Sequence, residues 1–135
     1  MSKENVMIQP PVTLQIPEFS QSGSPGYPWI TTYLATGDGL FVGYVGGGTS
    51  PSPSWGMLSV TCTDSSGNVV ITGQVSGENN GATGTVMDNE ASTLVIPVQS
   101  GTTFALTYWG GKYASPNASA YFFPFGDGTA VSQNS

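Results

Sequence analysis

The stretch from Thr93 to Phe125 constrains the fold more than any other part of the chain. Leu94, Ile96 and Val98 alternate with Thr93, Val95 and Pro97. After a Ser-Gly step, Phe104, Leu106 and Tyr108 alternate with Thr103, Ala105 and Thr107. Period-two alternation bounded by Ser-Gly and Gly-Gly predicts strands joined by turns. A third strand, ending at Phe125, is apolar on both faces: Tyr121, Phe123 and Phe125 on one, Phe122 and Pro124 on the other. The outer face of a strand in a lone two-sheet sandwich meets water and needs no apolar residues. This strand must be covered twice, and the expected second cover is another copy of the chain.

The rest of the chain reads the same way. Val12, Leu14 and Ile16 predict a first strand, Trp29 to Ala35 a second and Leu40 to Val45 a third, with a hairpin expected through Gly37-Asp38-Gly39. Trp55 to Thr63 is a fourth strand with Leu58, Val60 and Cys62 on one face; Asn68 to Ser76, after an Asp64–Gly67 turn, is a fifth. Gly77 to Gly84 reads as a polar loop, Thr85 to Met87 as a short strand and Asp88-Asn89-Glu90 as an acidic turn. Eight or nine short strands without a helix give an all-β fold, a two-sheet antiparallel jelly-roll sandwich. At 135 residues this is one domain, 12–126, with a partly ordered arm at 1–11 and a polar tail at 127–135 expected to fray.

Charge and chemistry are sparse. Lys3 and Lys112 are the only basic residues against eight acidic ones, a net charge of −6. Nucleic acid and anionic membranes both call for Lys and Arg, so neither is an expected partner. No apolar run is long enough to span a bilayer, so membrane insertion is not expected either. The absence of His removes Ser/His and Cys/His catalytic pairs and the usual zinc ligands. Cys62, the only cysteine, sits in an alternating strand and reads as a buried, inert thiol. Met-Ser-Lys-Glu-Asn at the start has no apolar signal core, so the expectation is synthesis in the cytoplasm without a signal peptide. Release by lysis or an unconventional route, or association with the cell surface, stays open.

The ordered set of Ile16-Pro17, Asp38-Gly39, Gly56, Thr63, Thr83-Gly84, Leu94-Val95, Ser100-Gly101, Phe104, Trp109 and Ser119 covers nearly the whole chain. It resembles the C1q/TNF-like jelly roll. More narrowly, it is similar to the TNF-like lectin domain at the N-terminus of bacterial fucose-binding superlectins. The resemblance implies a homotrimer with the aromatic last strand near the three-fold axis and carbohydrate sites in the clefts between protomers. It also implies a hydroxyl-rich stretch after the fifth strand, the region of Ser76, Thr83 and Thr85. The family grips sugar hydroxyls with arginines, and this chain has none. Thr85 and Tyr113 stand where two of them are expected, and Lys112 is a point charge without the planar fork of Arg.

The residues themselves allow sugar binding, which needs an aromatic plate and neutral hydrogen-bonding groups but no general base. Trp109 and Tyr113 flank a polar loop carrying Lys112, although aromatics equally serve cores and interfaces. Glu78, with Asn79, Asn80 and Thr83, forms a polar rim that also reads as a solvated turn. Asp88 and Glu90, two apart, make a poor acid–base pair, and an Asp between glycines, as at Asp38, reads as a turn rather than a calcium site. The expected function is therefore a non-enzymatic lectin for fucosylated or related glycans. Its carbohydrate-binding residues are Ser76, Glu78, Thr83, Thr85, Trp109, Lys112 and Tyr113, with no cofactor and no metal. The alternative is a trimeric structural or receptor-binding module of a phage tail, injection apparatus or toxin complex that docks through its N-terminal arm.

Overall fold

The computed structural model describes residues 10–17, 20–21, 30–46, 54–83, 86–112, 117–126 and 131–134. Among them are ten strands and no helix: β1 Val12–Leu14, β2 Ser20–Gln21, β3 Ile30–Ala35, β4 Gly39–Gly46 and β5 Ser54–Thr63 come first. β6 Val69–Thr83, β7 Val86–Val98, β8 Thr103–Lys112, β9 Asn117–Pro124 and β10 Val131–Asn134 follow.

Two antiparallel sheets pack face to face. The front sheet runs β1-β9-β4-β7 and the back sheet β6-β5-β8-β3-β10, with β2 parallel to the far end of β8. The strands alternate as their sequences require. Leu58, Val60, Cys62, Ile96, Val98, Phe104, Leu106 and Tyr108 are buried, while Thr93, Val95 and Pro97 are exposed. An aromatic stack joins the sheets through the core. Phe104 of the back sheet lies 5.8 Å from Phe41 and 6.0 Å from Phe122, both of the front sheet, and 5.6 Å from its own neighbour Tyr33. Such contacts add about 0.5–1.5 kcal/mol each beyond the apolar area they bury. The Tyr33 hydroxyl accepts the Gln15 backbone N–H, which ties the segment after β1 to the back sheet.

Three expectations are corrected. β3 and β4 do not form a hairpin: β3 pairs with β8 and β10, and β4 with β7 and β9. The chain crosses between sheets at residues 36–38, and Asp38 anchors the crossing. Its Oδ1 accepts the Ser100 N–H at 2.8 Å and its carbonyl the Phe125 N–H at 3.0 Å. Second, the described residues of the expected loop, 77–83, and the expected acidic turn at 88–90 are strand. The end of β6 and the start of β7 pair with each other, Glu78 with Glu90 and Thr83 with Val86, with a register shift between Asn79 and Ala82. Gly77 is required by close approach rather than by a turn: a Cβ there would lie 2.6 Å from the Val45 carbonyl oxygen, where β6 passes over β4. Third, the C-terminal tail does not fray throughout. Residues 131–134 form β10 and close the edge of β3, with Val131 buried against Ala35.

Candidate functional site

The back sheet aligns strands distant in sequence into rows. Ser76 on β6 pairs with Met57 on β5, which pairs with Trp109 on β8. One row further, Glu78 pairs with Trp55 and Trp55 with Gly111. Beyond that, Asn79 pairs with Ser54 and Ser54 with Lys112. Neighbouring strands lie about 4.8 Å apart, so β6 and β8 are about 10 Å apart across β5. Four of the residues singled out in the sequence, Ser76, Glu78, Trp109 and Lys112, thus fall at one end of one sheet. Ser76, Glu78 and Trp109 hold register positions of the outer face, and Lys112 holds one of the opposite face, in line with the buried Tyr108. Ser76 and Glu78 are exposed and share a face of β6, opposite the buried Val75 and Gly77. Thr83 is not brought to these rows; it pairs with Val86 where β6 leaves the sheet. Thr85 and Tyr113 lie outside the described residues.

Toward the middle of the sheet the same outward face carries Gln74–Ser59–Thr107 in one row and Thr72–Thr61–Ala105 in the next. Ser59, Thr61, Thr72, Gln74 and Thr107 line a shallow cavity of about 440 Å³. The Ser59 hydroxyl is 3.4 Å from Gln74 Oε1, a long and weak hydrogen bond that leaves both groups available to a ligand. These residues escape a reading by sequence alone because each looks like the ordinary polar half of an alternating strand. Only the register between β5, β6 and β8 gathers them, and no local signal encodes it.

Burial and backbone hydrogen bonds act on three ionisable groups. Burial pushes the Cys62 thiol up to about 11 and the Tyr108 phenol up to about 12, so both are neutral at physiological pH. Asp64 is held below the usual carboxylate range, chiefly by the Asn68 backbone N–H. It also accepts the Ser66 N–H, each bond 2.9 Å, in the turn between β5 and β6. Asp88 and Glu90 lie within β7, not in an exposed turn. Among the described residues no group of three or more His, Cys, Asp or Glu is placed to hold a metal ion.

On the opposite side of the molecule, the outer face of the front sheet is apolar. Leu40, Val42, Tyr121 and Phe123 are half-buried, and Tyr44, Val95 and Phe125 are exposed, Phe125 by 63 %. Segments 12–14, 39–46, 91–98 and 117–125 contain no charged residue. No family model, no curated protein and no solved structure matches this chain.

Proposed function

We propose that this protein is a non-enzymatic lectin, a TNF-like jelly roll that acts as a homotrimer and binds neutral glycans, fucosylated ones among them. The observation that carries the glycan reading is the alignment across β6, β5 and β8. It puts the exposed Ser76 in the same row, and on the same face, as the register position of Trp109 two strands away, with Glu78 one row further on. Sugars are held by this kind of mixture, neutral donors and acceptors beside an aromatic, with little need for charge.

The pairing β1–β9, β3–β8, β4–β7 and β5–β6 supports a jelly roll: a long hairpin folded over, so that outer strands pair with outer and inner with inner. The trimer rests on the uncharged aromatic face of the front sheet, which is large for a surface meeting only water. The free edges of β6 and β7, where Val70, Ile71 and Val95 are exposed, supply an apolar strip for a neighbour's face. A head-to-tail contact of that kind closes into a three-membered ring when each step rotates by a third of a turn. Single sites are weak, and three presented together raise apparent affinity on a glycan-covered surface without a new contact.

Calorimetric titration tests this reading. L-fucose is expected to bind with one site per protomer. Ser76→Ala is expected to weaken it about fivefold, the ~1 kcal/mol of one neutral hydrogen bond. A folded trimer that binds neither L-fucose nor any other neutral monosaccharide would refute the reading.

A further inference from the structure

We propose that the cavity on the outer face of the back sheet is a binding site for successive residues of a neutral oligosaccharide chain. The preferred ligand is then an extended glycan rather than a single terminal sugar. The inference rests on the glycan reading above for its ligand class but uses different residues.

Four observations carry it. The lining groups, Ser59, Thr61, Thr72, Gln74 and Thr107, are all neutral, and together they offer four hydroxyls and one amide. A neutral set of paired donors and acceptors suits a polyhydroxylated ligand. It gives nothing to a phosphate, which wants Lys or Arg, or to a divalent cation, which wants carboxylates. An apolar ligand would strand these groups without partners. Second, the backbone beneath them is saturated by ladder bonds on both sides of β5 and β8, so the side chains are the free hydrogen-bonding groups of this face. Third, Ser59, Thr61 and Thr107 are half-buried on a rigid sheet, and rigid donors lose little freedom on binding. Fourth, the cavity is continuous with the rows already assigned: Ser76 follows Gln74 on β6 at two-residue spacing, and Trp109 follows Thr107 on β8 likewise. Ile30, 63 % exposed and paired with Thr107, borders the far side and offers an aliphatic surface to the C–H face of a sugar ring. Along a row the strands lie about 4.8 Å apart, comparable to the length of one pyranose residue. A chain laid across β6, β5 and β8 would therefore meet the polar side chain of one strand per residue.

The test is an NMR titration of the full-length protein, followed through backbone amides, with L-fucose, a fucosylated hexasaccharide and cellohexaose as probes. The variant Thr61→Val/Thr107→Val removes two hydroxyls while keeping shape and strand preference. Gln74→Ala is a second, independent variant, and unchanged melting shows that each is folded. The expected result is that a hexasaccharide shifts amides at 59–61, 72–74 and 107. The double variant should weaken hexasaccharide binding about tenfold while leaving L-fucose binding unchanged. If cellohexaose moves these amides and L-fucose does nothing, the cavity assignment stands and the fucose reading falls. If L-fucose binds but no hexasaccharide touches the cavity amides, or the variants bind as well as the parent, the cavity assignment is overturned and the lectin reading survives. If none of the three binds, both are overturned.

Discussion

Single positions in the sandwich carry unequal weight, and the structure says which. Phe104 is fully buried and meets rings from both sheets. Phe104→Ala is expected to destabilise the fold by about 3–5 kcal/mol in a urea titration, the range for emptying an aromatic site in a core. Gly77→Ala drives a methyl toward the Val45 carbonyl and should cost about 1–3 kcal/mol, although the substitution looks mild by sequence. Cys62 gives a pH signature. Its folded pKa of about 11 lies above the ordinary thiol value of 9.0, so the unfolded chain loses the proton first. Stability from this group is therefore whole below pH 9 and lost as pH climbs toward 11. Cys62→Ala should flatten that part of the stability profile, and at pH 8 the native thiol should react with an aromatic disulfide only as fast as the protein opens. Asp64 acts with the opposite sign. Its lowered pKa gives a contribution present above about 3.8 and lost in acid.

At the level of strands, Asp38 ties the β3–β4 crossing to the turn before β8 and to the end of β9. Asp38→Ala is expected to cost about 1 kcal/mol and to speed amide exchange at Ser100, measured by hydrogen–deuterium exchange. Strand identity was largely legible in the sequence wherever a strand buries one face. The alternations at 94–98 and 104–108 pick out their inward residues, because a period of two admits only two faces. At 58–62 the sequence leaves the inward face open, and the structure puts Leu58, Val60 and Cys62 inside. The alternation at 121–125 leaves the choice of face open, and Phe122 and Pro124 prove to be the inner set. What was not legible depended on partners. Gly77 to Thr83 has the composition of a loop and is strand only because β7 returns alongside it. Gly37-Asp38-Gly39 has the chemistry of a hairpin turn, yet β4 finds better company in β7 and β9, which set Ile96 and Phe122 beside Phe41. The candidate site divides in the same way. Ser76 and Trp109 could be picked out by residue type, whereas Ser59, Thr61 and Thr107 acquire meaning only from the register of three strands.

For the whole molecule, the two outer faces differ in kind. The front face is apolar and uncharged; the back face is rich in hydroxyls, with Glu78 exposed at one end. On the proposed reading, the first face serves assembly and the second recognition. Light scattering should give three times the 13.9 kDa of one chain, and Phe123→Glu/Phe125→Glu should shift the protein toward monomer by placing charge on the apolar face. The monomeric variant should keep its monosaccharide affinity if the back sheet alone makes the site, and lose avidity for multivalent glycan surfaces. The most direct test of the central claim, that this is a lectin, is a glycan array probed with fluorescently labelled protein, fucosylated and unfucosylated glycans side by side. Binding is predicted to neutral glycans, fucosylated ones among them, and to be stronger for extended chains than for single sugars. A blank array from folded trimer, or binding confined to sulfated or phosphorylated glycans, would contradict the account.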